Sequence, residues 1–115
     1  MTTYDNLPVY KASYDLLLEL FHFVKHFSRE YKYTLGESIK KEMMDMIIQI
    51  YRANSRVEGR GARIQTAREN VEVIRLLLRL MRDLRQINLD KFISLNMKIE
   101  SVSKQLFAWQ RKCDS

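Results

Sequence analysis

Three observations predict an all-α protein, an antiparallel up-down four-helix bundle. Apolar residues recur at alternating spacings of three and four through almost the whole chain. Only three glycines and one proline interrupt 115 residues. No segment alternates with the two-residue period of a strand. A chain of this length that is 46% hydrophobic can bury one core, so residues 1–115 are expected to form a single domain. Its large surface-to-volume ratio is of the kind that self-association commonly relieves.

The first helix is expected over about residues 8–27. Pro8 is tolerated in the opening turn because its missing N–H would have no intrahelical acceptor there. Tyr10, Tyr14, Leu17, Phe21 and Val24 form one row on this helix, beside a second of Leu16, Leu20, Phe23 and Phe27. The second helix, about 34–56, is announced by Thr34 and Glu37 in capping-box spacing, and its inward row is Ile39, Met43, Met46, Ile50 and Ala53. Gly59 and Gly61 punctuate the next turn. The third helix reaches about residue 86 and begins either at Arg60 or at Thr66, where Thr66 and Glu69 repeat the capping-box spacing. Asn88 or Asp90 caps the fourth, about 89–111, which carries Phe92, Leu95, Ile99, Val102, Leu106 and Trp109 in unbroken register.

Charge is the most informative feature. Residues 1–58 hold eight basic and eight acidic groups, while residues 59–115 hold twelve and six, so the whole net charge of +6 lies in the second half. Seven arginines and no lysine fall between Arg60 and Arg85. At about 100° per residue, Arg68, Arg75, Arg79 and Arg82 project within roughly a sixth of a turn of one another. This edge, extended around the turn by Arg52, Arg56, Arg60 and Arg63, is the predicted nucleic-acid surface. Pairing of Arg68 with Glu72, Glu72 with Arg75 and Arg79 with Asp83 along the helix offsets only part of that charge. The same helix has two apolar rows, one of Val73, Leu77, Leu80, Leu84 and Ile87 and one of Ala67, Val71, Ile74, Leu78 and Met81. Two rows imply two sets of neighbours. The second row is therefore assigned to the interface of a symmetric homo-oligomer.

Catalytic chemistry finds few parts. Glu19 with His22, one turn before His26, reads as Glu-x-x-His, half of a di-iron ligand set, but the second Glu-x-x-His that such bundles need is missing, so no metal and no cofactor is expected. No Ser-His-Asp or Cys-His arrangement can be assembled. Gly36 is a lone glycine at a helix start, unlike a phosphate loop. Cys113, the single cysteine, allows no internal disulfide. Charges interrupt every apolar stretch, which argues against a membrane span, and Met1–Pro8 is too polar for a secretory signal. A cytosolic protein is the expectation.

Several blocks resemble a known family: Tyr14-Asp15-Leu16-Leu17-Leu18-Glu19-Leu20-Phe21, Tyr31-Lys32-Tyr33-Thr34-Leu35-Gly36-Glu37, Ile50-Tyr51-Arg52-Ala53-Asn54, Arg75 through Leu84, and the late Trp109. Together they are similar to the accessory variability determinant (Avd) of diversity-generating retroelements. The resemblance implies a four-helix bundle assembled as a pentameric barrel with a basic surface. It further implies binding to the retroelement reverse transcriptase and to RNA or cDNA in support of mutagenic retrohoming. Proteins encoded by intervening sequences of 23S rRNA genes share the superfamily. Their Asn-Ile-x-Glu-Gly is replaced here by Asn54-Ser55-Arg56-Val57-Glu58-Gly59, which favours the retroelement branch. The expected function is that of a non-enzymatic, oligomeric, nucleic-acid-binding accessory protein. A general RNA-binding bundle of the intervening-sequence type and a protein-only scaffold are the alternatives.

Overall fold

The computed structural model describes residues 6–114; residues 1–5, most of the polar N-terminal stretch considered above, lie outside it. The elements are α1 (Pro8–Val24), a single turn α2 (Arg29–Lys32), α3 (Leu35–Ser55), α4 (Arg60–Asp83) and α5 (Leu89–Asp114). The four long helices pack in the cyclic order α1, α3, α4, α5 and run up and down in a rod of 44 × 21 × 21 Å. Paired cross-helix contacts fix the antiparallel sense. From Arg63–Gln49 at 3.5 Å to Asn70–Glu42 at 2.9 Å, α4 advances while α3 recedes, and from Lys91 over Phe23 at 4.4 Å to Lys98–Glu19 at 2.6 Å, α5 advances while α1 recedes.

Each helix buries one stripe. Leu16, Leu20 and Val24 of α1, Ile39, Met43, Met46, Ile50 and Ala53 of α3, and Leu95, Ile99, Val102 and Leu106 of α5 line the core. Tyr14 and Phe21, the outer part of the first α1 row, remain exposed. α1 also stops three residues short of Phe27: the N–H groups of His26 and Phe27 turn back to the Phe23 and Val24 carbonyls in a tightened last turn. Phe27 is nevertheless buried, carried into the core by the link that follows.

The two threonine caps do not form. Thr34 precedes α3 without capping it, and its hydroxyl donates back to the Glu30 carbonyl at 3.3 Å. Glu37, released from the capping role, pairs with Lys40 at 3.2 Å. Thr66 lies inside α4 and donates to the Ala62 carbonyl, so α4 begins at Arg60, after Gly59 in the left-handed region (φ 74°). Asn88 is the cap of α5, its Oδ1 accepting the Lys91 N–H at 2.8 Å. Between α4 and α5 the chain leaves through Arg85 at φ 60°, and the Gln86 N–H reaches the Met81 carbonyl at 2.8 Å. That 6→1 bond is the Schellman closure usually given to glycine. Gly36 has a packing role: a Cβ there would stand 2.6 Å from Val24 Cγ1, so α1 and α3 approach closely only because it has none.

Among the described residues no helix is long and apolar enough to cross a membrane.

Candidate nucleic-acid interface

The arginines are positioned by the core residues that precede them. Ala67, Ile74, Leu78 and Met81 of α4 all have 0% exposure, and Val71 has 1%. Arg68, Arg75, Arg79 and Arg82 each follow one of these by a single residue, which rotates them about 100° from the core. That places them on the α5 flank of α4. The burial corrects the interface assignment: Ala67, Val71, Ile74, Leu78 and Met81 are sealed inside one chain and have no surface to offer a second subunit. The reason is that α4 sits between α3 and α5, and this row bisects the two contacts. The neighbouring row is the open one, with Val73 and Leu80 exposed, Leu77 and Leu84 half-buried and only Ile87 buried.

Along the seam, three arginines alternate with residues of antiparallel α5. Arg68 reaches the Gln110 side-chain carbonyl and stands 5.1 Å over the Phe107 ring. Arg75 meets Glu100 at 2.6 Å and also Glu72 of its own helix. Arg82 lies 4.6 Å over the Phe92 ring and pairs with Asp83 at 3.0 Å. Such cation–π contacts and partly exposed ion pairs contribute about 0.5–1 kcal/mol each, so the seam fastens α4 to α5. Of the three intrahelical pairs expected from spacing, only Glu72–Arg75 forms. Arg68 turns to α5 instead, and Asp83 is taken by Arg82, which leaves Arg79 without a partner among the described residues.

The other four arginines gather at the end of the bundle where α3 finishes and α4 starts. Arg60 is partly buried, its Nε donating to the Ala53 carbonyl at 2.7 Å and its Nη2 to the Asn54 carbonyl at 3.3 Å. Arg63 touches Gln49 Oε1 at 3.5 Å. Arg52 and Arg56 are exposed. The eight predicted cations are therefore split between a seam and an end, and do not make one unbroken edge.

Two further features were not read from spacing. Arg111 stands 5.8 Å over the same Phe107 ring that Arg68 covers, so two cations flank one aromatic. The row Lys104, Phe107, Arg111, at helical spacings of three and four, was the signal for it. Beside this group a shallow cleft of about 150 Å³ is lined by Arg68 and Ser103 but also by Glu69 and Glu72. Those carboxylates make that part of the seam a poor phosphate site.

The α1–α3 side has a different character. Tyr14, Leu18 and Phe21 of α1 and Met44, Ile48 and Tyr51 of α3 are all exposed. Lys40 lies 5.1 Å over Phe21, joining the two helices' flanks. Lys41 is hydrogen-bonded to Asp45 at 3.0 Å, which raises its ammonium pKa above the usual lysine value. Glu19, considered above as a metal ligand, is held by Lys98 and Lys91. His22 and His26 stack edge-on at 5.3 Å on exposed surface, and among the described residues no three potential metal ligands converge.

This is an up-down helical bundle in which residues 1–58 are charge-balanced and residues 59–115 carry the cationic excess. Its sequence matches the model of the bAvd-like family over residues 9–113, which takes in nearly all of every long helix, and the chain belongs to that family. It is thus an Avd-type protein, of a family of generally non-catalytic accessory proteins. No curated protein matches the chain.

Proposed function

We propose that the protein is the accessory subunit of a diversity-generating retroelement, acting in the cytosol. In this reading it holds RNA or cDNA on its basic half, beside the reverse transcriptase that it also binds. The family membership carries the reading. The placement of charge supports it: residues 59–115 hold the whole cationic excess, and the guanidinium groups of Arg79 and, at the adjoining end of α3, of Arg52 and Arg56 have no partner among the described residues. Guanidinium groups donate two bonds to one phosphate, so such a surface supplies affinity without reading bases. Template choice would then rest with the polymerase or with RNA shape.

Self-association belongs to the same proposal. Exposed apolar residues remain on both halves of the bundle, Tyr14, Leu18, Met44 and Ile48 on α1 and α3 and Leu76, Leu80, Ile93 and Met97 on α4 and α5. Two unlike surfaces of this kind can pair head to tail, and a head-to-tail interface closes into a ring when the rotation per subunit permits. A pentamer is the expected ring. Repeating each basic half around it would turn weak phosphate contacts into an avid surface.

The protein-only scaffold has one observation in its favour: Arg68, Arg75 and Arg82 are engaged within the chain. Fluorescence anisotropy with labelled RNA across a salt series separates the readings. The proposal expects affinity to fall on the order of a thousandfold between roughly 50 and 200 mM salt, through counterion release. Absence of RNA binding at low salt, with co-purification of the reverse transcriptase retained, would leave the scaffold.

A further inference from the structure

Where the α3–α4 turn meets the end of α5, a cavity of about 490 Å³ opens between Val57, Gly59, Arg60, Gly61, Trp109 and Lys112. A second cavity of about 270 Å³, walled by Pro8, Val9 and Ala108, reaches the same tryptophan. The larger space falls within the range of small-molecule sites, and its chemistry is mixed. Trp109 and Val57 give an apolar wall, and the indole N–H makes no hydrogen bond among the described residues. Arg60 gives a cation 5.9 Å over the indole ring. Its guanidinium is held from behind by the Ala53 and Asn54 carbonyls, through Nε and Nη2, so Nη1 is the edge left without a partner. A cation already fixed in place loses little freedom on binding. The absence of side chains at Gly59 and Gly61 keeps the floor open. Arg52 and Arg56 add positive charge at the same end.

We infer that this cavity takes a phosphorylated nucleotide, with the base against Trp109 and the phosphate on the free edge of Arg60. The inference rests on the nucleic-acid reading above and adds a place where a strand end is held. Stacking of a base on an aromatic side chain contributes about 1–3 kcal/mol and tolerates any base, and a terminal phosphate suits the remaining guanidinium edge. Carboxylates oppose the ligand: Asp114 Oδ1 lies 3.5 Å from the position a Gly61 Cβ would occupy, and the exposed Glu58 stands in the turn between the lining residues Val57 and Gly59. Both would repel phosphate, so Asp114→Asn should tighten binding.

Trp109 is the chain's only tryptophan, so its fluorescence reports on the cavity directly. The test titrates the full chain with short single-stranded RNA bearing a 5′ phosphate, a 3′ phosphate or neither, and with AMP. Circular single-stranded RNA, which has no ends, is followed in parallel by anisotropy. Saturable quenching by a phosphorylated strand, tighter than by the hydroxyl-ended strand on the order of tenfold, is the expected result. Gly61→Leu should fill the cavity and abolish the quenching while leaving circular RNA binding intact. Gly61→Ala, whose Cβ meets Asp114 only at ordinary contact distance, should retain it and show that the helix tolerates the change. Quenching by AMP as strong as by the strands would assign the cavity to a free nucleotide rather than a strand end. No quenching by any of these probes while circular RNA still binds would overturn the inference and spare the proposed function. Failure of circular RNA to bind would count against the nucleic-acid reading itself.

Discussion

The α1–α3 half and the α4–α5 half of this bundle are built from the same helical register but close their outer seams differently. Between α1 and α3 the flanks are apolar and aromatic, and they leave Tyr14, Leu18, Phe21, Met44, Ile48 and Tyr51 in solvent. Between α4 and α5 the flanks are arginines laid against Phe107, Glu100 and Phe92. An apolar seam left in water gains stability when another surface covers it. A cationic seam already satisfied by rings and carboxylates holds its helices together alone and can add phosphate only through cations that are not engaged. The lesson is that a row of arginines on a helix is not by itself a binding face; the partners on the neighbouring helix decide which of them are available.

The largest effects are expected on α4. Leu78→Glu places a charge at a position with 0% exposure and should unfold the chain, because an unpaired buried charge costs several kcal/mol against a total stability of about 5–15. Leu76→Glu, two residues away with 63% exposure, should keep full helicity by circular dichroism. If Leu78→Glu remained folded and merely dissociated an oligomer, the burial described here would be wrong. Leu18→Glu with Ile48→Glu, on α1 and α3, should lower the mass seen by light scattering without loss of helicity.

Gly36→Ala comes next. Its Cβ would overlap Val24 Cγ1, and overpacking of this kind costs about 1–3 kcal/mol, readable as a lower denaturation midpoint. A midpoint equal to the parent's would mean that α1 and α3 are farther apart than the structure has them. Arg75→Gln should lose about 1 kcal/mol by removing two ion pairs, whereas Arg79→Gln should leave the midpoint unchanged. Equal losses would show that Arg79 is as engaged as Arg75.

The smallest effects are expected to be gains. Arg85→Gly relieves a left-handed residue and should add about 1 kcal/mol. Ser13 is fully buried and its hydroxyl has no partner, so Ser13→Ala should be neutral or stabilising by up to about 1 kcal/mol.

Much of the fold was legible because the three-four spacing reports a buried stripe directly. The rows Ile39 to Ala53 and Leu95 to Leu106 fell in the core as read. What spacing could not supply was the angle at which a neighbour arrives. On α4 two rows about one residue's rotation apart were equally apolar, and the choice between Val73-Leu80 and Ala67-Met81 depended on where α3 and α5 sit. Capping failed for a related reason: Thr34 and Thr66 had the right spacing to Glu37 and Glu69, but threonine hydroxyls donate equally well to the carbonyl four residues back, and both do so. In the candidate site Arg68, Arg75 and Arg82 share the α5 flank of α4, as their spacing predicts. The division of the arginine row into engaged and unengaged members was invisible, since Phe92, Glu100 and Phe107 lie ten to forty residues farther along the chain.

Nucleic acid is expected to bind through the unengaged cations, Arg79 on α4 and Arg52 and Arg56 at the end of α3. The most direct test is the salt slope of RNA binding for a variant in which Arg52, Arg56 and Arg79 are all glutamine, compared with the parent at matched helicity and oligomeric mass. Loss of about one unit of slope for each phosphate contact removed, with weaker binding to RNA and DNA alike, is the predicted result. An unchanged slope and affinity in that folded, assembled variant would contradict the account.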